Sequence, residues 1–373
     1  MSKNDNSNNV APIQWSIGAT LLNEDGSESL GFAGSINGIS NDALIVAGGA
    51  NFPDKMPWEG GKKYYSDQIY VLEKIGNEYT WNNKVNKRLP KPIAYCGSTS
   101  TDYGIVYAGG ENDEGLSDKV IILSWNESIK EVDIKDLPQL PLALVNVGLT
   151  QIKNVVYAIG GDGLKNSSNI FLRLDLNRGN LIWEQLPDLP IALANTVAVA
   201  QSSLDGMQVY AIGGRTKTNS GISTLHNTVF AFNPNTNKWK LCAPISNGVD
   251  IIKLAAGAGL AVGENNIILA GGDDGIVFNQ IEGYLGKAAK ADSEEERLDL
   301  INAKNQLIFN HQGFFKEVLI YDTFKDLWTR MGELPYLAQV TTTATKWNNN
   351  MVLSTGEIKP GLRTPNIIIG EIK

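Results

Sequence analysis

The sequence predicts an all-β fold in which six similar four-stranded sheets form a closed ring. Three observations carry this prediction. An apolar run that ends in a glycine pair recurs at residues 43–49, 105–110, 155–161, 209–214 and 267–272, with an altered copy at 351–356. Leucine–proline or small-residue stretches precede the copies, and strands with a tryptophan follow many of them. The period is about 50 to 60 residues, which indicates a repeat architecture.

Each apolar run is typical of a strand that is buried on both faces. A tryptophan is large enough to fill the space between one sheet and the next. The tryptophans in this position are Trp81, Trp183, Trp239 and Trp328. A single sheet of this kind cannot bury both of its faces, so the copies must stack on one another. The pattern resembles a six-bladed kelch-type β-propeller, whose blades are about 50 residues long.

The two ends of the chain predict how the ring closes. Residues 1–11 are expected to form a disordered tail, and residues 12–373 a single propeller domain. Residues 13–17 are predicted to form a strand that carries Trp15, but the other strands of its blade do not precede it in the sequence. The chain ends after residues 367–372, where a tryptophan strand is due. We therefore expect the amino-terminal strand to complete the sixth blade, which removes the exposed edges of an open sheet.

Three blades depart from the repeat. Blade one has a long polar connection at residues 50–66. Blade two has no tryptophan at the expected place, where Val132 or Ile134 is expected instead. Blade five is interrupted at about residues 278–313, where Ser293 followed by acidic residues predicts the start of a helix. We expect this helical insertion to cover the mouth of the channel on the face that bears Glu357, because it follows a glycine pair, the side from which Glu357 and the long first loop also emerge.

Composition and motifs exclude several classes of function. The net charge of −8 over 373 residues argues against nucleic-acid binding. No run of about 18 apolar residues predicts a membrane span. Cys96 and Cys242 lie far apart and are expected in the core. His226 and His311 have no partner at metal-ligand spacing, so no metal is expected. With neither a P-loop nor a dinucleotide fingerprint, no cofactor is expected either.

The amino terminus bears on location. Its first residues are polar and have no apolar signal-peptide core, so the sequence as it stands predicts a cytoplasmic protein. If a signal peptide has been removed, the expected location is the periplasm.

The altered repeat copy is the strongest candidate for a site. A threonine replaces its first glycine, and Glu357 follows the second. Pro360 and Gly361 suit a type II turn, which would bring Arg363 back towards Glu357. The alternative is a surface turn with a weak ion pair. Asp273-Asp274-Gly275 resembles a fragment of a calcium loop and is predicted to be a turn.

The string Gly-Glu-x-Lys-Pro-Gly-Leu-Arg-Thr at residues 356–364 is similar to the signature of the bacterial N-acetylneuraminate (sialic acid) mutarotases. These kelch propellers are also called N-acetylneuraminate epimerases. Residues 31–34, 38–42 and 59–66 also resemble the family. Here the signature lies at the end of the chain instead of preceding the Phe-Ala-Gly stretch, so the order resembles a cyclically permuted branch. A ring with adjacent termini tolerates such a permutation.

The resemblance implies a reaction and its residues. The family's acid–base glutamate and its arginine partner correspond to Glu357 and Arg363. The implied activity interconverts the α and β anomers of N-acetylneuraminate, a sugar acid, without metal or cofactor. Glu357 would act as general base, and the Arg363 guanidinium would bind the substrate carboxylate with two hydrogen bonds.

Four further residues are candidates for substrate binding. They are Lys62 and Tyr65 in the long first loop, and Asn146 and Asn195 after leucine–proline stretches. The two asparagines could equally satisfy backbone groups at the start of a strand. The rival hypothesis is a non-catalytic kelch propeller that binds a glycan or a protein through its loops.

Overall fold

A computed structural model describes residues 12–373, and it is a six-bladed β-propeller. Each blade is a four-stranded antiparallel sheet. The first strands of neighbouring blades contact one another around the ring, so they line the central channel. The predicted all-β propeller is therefore confirmed. The tail predicted for residues 1–11 lies outside the described residues.

The strands follow one another outwards from the channel in every blade. Blade one comprises Ile36–Ser40, Ala43–Ala47, Ile69–Ile75 and Glu78–Trp81, and blade two Gly97–Thr101, Gly104–Ala108, Val120–Asn126 and Glu131–Leu137. Blade three comprises Gly148–Ile152, Val155–Ile159, Phe171–Asp175 and Glu184–Gln185, and blade four Val197–Ser203, Gly206–Ile212, Val229–Asn233 and Lys238–Cys242. Blade five comprises Ala258–Val262, Asn266–Ala270, Glu317–Asp322 and Leu327–Glu333, and blade six Ala344–Trp347, Asn350–Ser354, Asn366–Glu371 and Gln14–Thr20.

Six apolar clusters hold the blades together, one at each interface between neighbours. Alternate residues of a strand face opposite sides of the sheet. In blade one, Ile45 therefore packs towards blade two, whereas Leu44 packs towards blade six. Trp328 fills the interface between blades four and five. Blade two has no tryptophan at the expected place, and Val132 is buried there opposite Trp125, as predicted.

The strand Gln14–Thr20 closes the ring. It pairs antiparallel with Asn366–Glu371, and Trp15 lies opposite Gly370. Trp15 also packs against the apolar cluster between blades five and six. The predicted closure is confirmed, and the first and last strands of the described chain share one sheet.

A closed ring of backbone hydrogen bonds surrounds the mouth of the channel. Just before its first strand, each blade has a residue with a left-handed φ of 53° to 65°. The N–H group of each donates to the carbonyl of its counterpart in the preceding blade, at 2.8 to 3.1 Å. The six residues are Gly34, Tyr95, Asn146, Asn195, Ala256 and Thr341. Asparagine tolerates this conformation better than most residues, which explains two of the positions.

The insertion in blade five is helical, as predicted. It consists of α1 (Ile276–Ala288) and α2 (Glu294–Phe309), and α1 begins slightly before the expected boundary. Ser293 caps α2 by accepting a hydrogen bond from the Glu296 N–H group at 3.1 Å. Neither helix of the described chain is long and apolar enough to cross a membrane.

Short elements also lie in the connections between strands. A 3-10 helix spans Pro57–Glu59. Two-stranded ladders join Ala50–Asn51 with Tyr64–Tyr65, Glu111–Asn112 with Gly115–Leu116, Arg215–Thr216 with Thr224–Leu225, and Glu357–Lys359 with Leu362–Arg363.

Candidate active site

The residue that follows the glycine pair, or its altered copy Thr355-Gly356 in blade six, occupies an equivalent position in all six blades. In each blade its backbone pairs with the residue just before the hydrogen-bonded ring, as Glu357 does with Val340 and Asp273 with Ala255. The six equivalent residues are Ala50, Glu111, Asp162, Arg215, Asp273 and Glu357. The repeat therefore places five charged side chains around one end of the channel.

A tight hairpin holds Glu357 in place. The strand Glu357–Lys359 pairs with Leu362–Arg363, and the predicted turn between them forms. Gly361 has a φ of 85°, which a type II turn requires at its third residue. A Cβ atom on Gly361 would lie 3.0 Å from the Trp58 ring. Glycine is therefore needed both for the turn and for its packing against the first loop.

Arg363 lies behind Glu357. Oε1 of Glu357 accepts hydrogen bonds from the Gly361 N–H group at 2.6 Å and from Nη1 of Arg363 at 3.3 Å. Nε of Arg363 donates to the Ala50 carbonyl at 3.3 Å, and its guanidinium carbon lies 4.7 Å from the centroid of the Phe52 ring. Only 5% of the Arg363 side chain is exposed, against 19% for Glu357. The carboxylate is therefore the accessible member of the pair.

The residue that breaks the repeat is strained. Thr355 has a φ of 54°, close to that of the first glycine in the other five pairs. A β-branched residue rarely adopts this conformation, which costs on the order of 1–3 kcal/mol. Thr355 is fully buried, its hydroxyl lies 2.8 Å from that of Ser35, and its carbonyl accepts a hydrogen bond from Gln339. These contacts fix the backbone that carries Glu357.

A cavity of about 260 Å³ opens beside Glu357. Glu357, Asp273 and Arg215 supply its charged groups, and α1 and α2 supply part of its apolar wall. These apolar residues are Phe278 and Ile281 of α1 and Ile308 of α2. The volume lies just below the usual range of small-molecule sites, roughly 300–1,000 Å³. The insertion thus covers the face that bears Glu357, as the sequence predicted.

Asp273 is one of two charged cavity residues that sequence reasoning did not assign to the site. The predicted turn forms, because the Gly275 N–H group donates to Oδ1 of Asp273 at 2.8 Å. Burial, together with the negative charges of Asp274, Glu357 and Glu282, raises the pKa of Asp273 to about 6, although the bond from Gly275 opposes the rise. Its place after a glycine pair, equivalent to that of Glu357, was the available signal.

Arg215 is the cation among the residues that line this cavity. Its Nη2 donates to Oδ2 of the buried Asp162 at 2.6 Å, and its guanidinium carbon lies 5.9 Å from the centroid of the Phe278 ring. A guanidinium has five donor hydrogens, so this ion pair leaves others for a ligand. The equivalence of repeat positions was again the signal that could have identified it.

The first loop brings Lys63, rather than Lys62, towards the channel mouth. Nζ of Lys63 lies 2.9 Å from Oε1 of Glu111 and 4.9 Å from the centroid of the Tyr95 ring. The Tyr65 hydroxyl donates to the same Glu111 oxygen at 2.8 Å. Burial and this bond raise the pKa of Tyr65 to about 12. Lys62 is exposed to solvent, so of the two residues predicted here only Tyr65 contacts Glu111.

The two asparagines lie at the channel mouth. Both belong to the hydrogen-bonded ring through their backbones. Asn146 lines the narrow channel, whereas Asn195 lines both the channel and the cavity beside Glu357. Of this predicted pair, only Asn195 therefore borders the cavity.

The remaining titratable candidates do not form a metal centre. Within residues 12–373, no group of three His, Cys, Asp or Glu side chains is placed to hold an ion. His226 lies 2.8 Å from the Thr216 hydroxyl, and Nδ1 of His311 accepts a hydrogen bond from the Gly313 N–H group at 3.0 Å. Cys96 and Cys242 are both free and pack beside the core clusters.

Comparison with known proteins identifies one family. A family model described as N-acetylneuraminate epimerase matches residues 3–132 and 137–373. A protein of Yersinia pestis (strain Pestoides F), named N-acetylneuraminate epimerase, is 27% identical over 261 residues, which cover 67% of this chain and 62% of the relative. A protein of the same name from Salmonella typhimurium (strain LT2) is 28% identical over 238 residues, which cover 61% of this chain and 56% of the relative. The chain thus matches less than two thirds of the length of these relatives.

Proposed function

Because the chain belongs to the N-acetylneuraminate epimerase family, we propose that it is a mutarotase that interconverts the α and β anomers of N-acetylneuraminate. The observation that carries the proposal is the carboxylate of Glu357, held at the wall of a sugar-sized cavity. Anomer exchange needs proton transfers at the ring oxygen and at the anomeric hydroxyl, and a positioned carboxylate can perform such transfers.

Glu357 is proposed as the general base. Gly361 and Arg363 both donate to Oε1, which orients the carboxylate and leaves Oε2 to accept a proton. Removal of the proton from the anomeric hydroxyl of the sugar opens the ring to a ketone. Rotation about the bond to the former anomeric carbon presents the other face of the ketone, and ring closure then yields the other anomer.

Arg215 is proposed to bind the substrate carboxylate. The sequence assigned this task to Arg363, but Arg363 is almost fully buried and is engaged with Glu357 and Ala50. Arg215 lines the cavity and is held by Asp162. A planar guanidinium can bind a carboxylate through two parallel hydrogen bonds. Arg363 is then a positioning residue that acts through Glu357.

The proposal is tested by following the anomers directly. Sialidase releases N-acetylneuraminate as the α anomer, and proton NMR follows its conversion to the β anomer. We expect the purified protein, without added metal or cofactor, to shorten the equilibration time relative to buffer. Binding of the sugar with no acceleration would contradict the proposal and favour the non-catalytic binding propeller.

A further inference from the structure

Two carboxyl side chains from adjacent blades line the cavity. Glu357 belongs to blade six and Asp273 to blade five; Asp273 follows the glycine pair of its repeat, and Glu357 follows the altered copy Thr355-Gly356. On the premise of the proposed mutarotase, we propose that Asp273 is the general acid that protonates the ring oxygen of the sugar while Glu357 removes the proton from the anomeric hydroxyl. No second proton-transferring group follows from the sequence motif, so this assignment depends on the structure.

The backbone of Asp273 is held in the same way as that of Glu357. Its N–H group donates to the Ala255 carbonyl at 2.8 Å, and its own carbonyl accepts from the Ala255 N–H group at 3.0 Å. Oδ1 accepts from the Gly275 N–H group. That bond occupies one oxygen and leaves Oδ2 as the atom that can carry a transferable proton. A general acid must be held within hydrogen-bond reach of the atom it protonates.

The surrounding charges favour the protonated form. Asp274 lies on the same turn, Glu357 on the hairpin of blade six and Glu282 on α1, and all three act on Asp273 through their negative charge. Arg215 lines the cavity from blade four and is the opposing cation.

His311, beyond α2, is a second titratable group in this region. It lies near Asp274 and Glu357, and burial together with Lys359 lowers its pKa. Burial and the three carboxylates raise the pKa of Asp273 to about 6. Asp273 therefore exchanges its proton close to neutral pH, where an acid–base catalyst works best.

Protons are conserved both in ring opening and in ring closure. In ring opening, Glu357 takes the proton of the anomeric hydroxyl. The electrons of that hydroxyl's O–H bond then form the carbonyl. The bond from the anomeric carbon to the ring oxygen breaks, and Asp273 gives its proton to that oxygen. In ring closure, the oxygen attacks the ketone, Asp273 takes its proton back, and Glu357 protonates the carbonyl oxygen.

Tyr95 is the other hydroxyl-bearing candidate near Glu357. Burial raises its pKa, so its hydroxyl keeps the proton that a donor needs. It lines the central channel, whereas Glu357 and Asp273 share the larger cavity. The shared cavity favours Asp273.

Asp273→Asn tests the proposal, because the amide oxygen can still accept the hydrogen bond from Gly275. We expect kcat to fall about 10²- to 10⁴-fold, the range for loss of an acid–base group, with little change in KM. In the wild type, kcat/KM corrected for the buffer reaction should fall as the pH rises through about 6, because the acid form of Asp273 is lost. This alkaline limb should be absent in Asp273→Asn.

Two control variants separate Asp273 from its neighbours. Asp274→Asn changes an exposed carboxylate on the same turn. This variant should keep the wild-type rate. Its alkaline limb should lie at slightly lower pH, because the loss of one negative charge lowers the pKa of Asp273. His311→Gln removes the neighbouring imidazole and should retain the limb.

The outcomes distinguish this assignment from the proposed function. A wild-type rate and an unchanged limb in Asp273→Asn would overturn the role of Asp273 alone. A wild-type protein that does not exceed buffer would overturn both. If Asp273→Asn does not fold, the wild-type profile decides, because the absence of an alkaline limb between about pH 5 and 7.5 contradicts the assignment.

Discussion

Nη1 of Arg363 lies 3.3 Å from Oε1 of Glu357, and the same two residues face each other across a short hairpin. The hairpin is possible because Gly361 turns with a positive φ. The guanidinium is also held by the Ala50 carbonyl and the Phe52 ring. The arginine thus links blade one to the carboxylate of blade six, and its main effect should be on the orientation of Glu357.

Arg363→Lys should therefore lower kcat more than it raises KM. Lysine keeps the charge but cannot reproduce the contacts of the planar guanidinium. A displacement of the carboxylate by about 1 Å can cost on the order of 10²-fold in rate. Steady-state kinetics by proton NMR would measure both constants. Arg330→Lys, in an exposed ion pair with Glu317, is the matched control. A rise in KM alone would instead support the sequence-based assignment of Arg363 to the substrate carboxylate.

Arg215→Lys should mainly raise KM. A hydrogen bond to a charged group contributes about 1.5–3 kcal/mol, so we expect a rise of about 10- to 100-fold with a smaller change in kcat. Calorimetric titration with N-acetylneuraminate and with its methyl ester gives an independent measurement. The wild type should prefer the free acid, and the variant should lose much of that preference. Equal loss of affinity for both ligands would argue against a carboxylate contact.

Lys62 and Lys63 form a neighbouring pair for comparison. Lys63→Met removes the ion pair with Glu111 and the contact with the Tyr95 ring, so we expect a loss of about 1 kcal/mol in the free energy of unfolding. Lys62→Met changes an exposed side chain and should stay within about 0.5 kcal/mol. Urea unfolding measures both. Should Lys62→Met raise KM and Lys63→Met leave it unchanged, the sequence-based assignment of Lys62 would be supported.

Removal of the closing strand should destabilise the whole propeller. A chain that begins at Leu21 lacks the partner of Asn366–Glu371 and exposes that edge. Cross-strand pairs contribute roughly 0.2–1 kcal/mol each, so the loss over this strand should reach several kcal/mol. Urea unfolding measures it, and a chain that begins at Pro12 is the control. Equal stability of the two chains would show that the strand does not close the ring.

The fold could be predicted because its determinants are repeated along the sequence. Apolar runs followed by a glycine pair mark the second strand of five blades, an altered copy marks that of the sixth, and Trp15, without a blade of its own, identified the closing strand. The turn at Pro360 and Gly361 was equally local, so the approach of Arg363 to Glu357 followed from turn chemistry. The rotated order of the family motifs stays a prediction.

The rest of the site depends on tertiary structure. Arg215 and Asp273 come to one cavity only because three adjacent blades present equivalent positions beneath α1 and α2. Lys62 and Lys63 lie in the loop just before the two-residue strand Tyr64–Tyr65, so which of them reaches Glu111 depends on the conformation of that loop. The sequence does not reveal this conformation, and it does not reveal how deeply Arg363 is buried.

The most direct test of the account is the rate at which Glu357→Gln equilibrates freshly released α-N-acetylneuraminate. Glutamine keeps the shape of Glu357 and the oxygen that accepts from Gly361, but it cannot act as a base. Proton NMR of the anomeric ratio should show a rate at least about 10²-fold below that of the wild type, while calorimetry shows affinity for the sugar within a few-fold. If Glu357→Gln equilibrates the anomers as fast as the wild type, Glu357 is not the base and the account is contradicted.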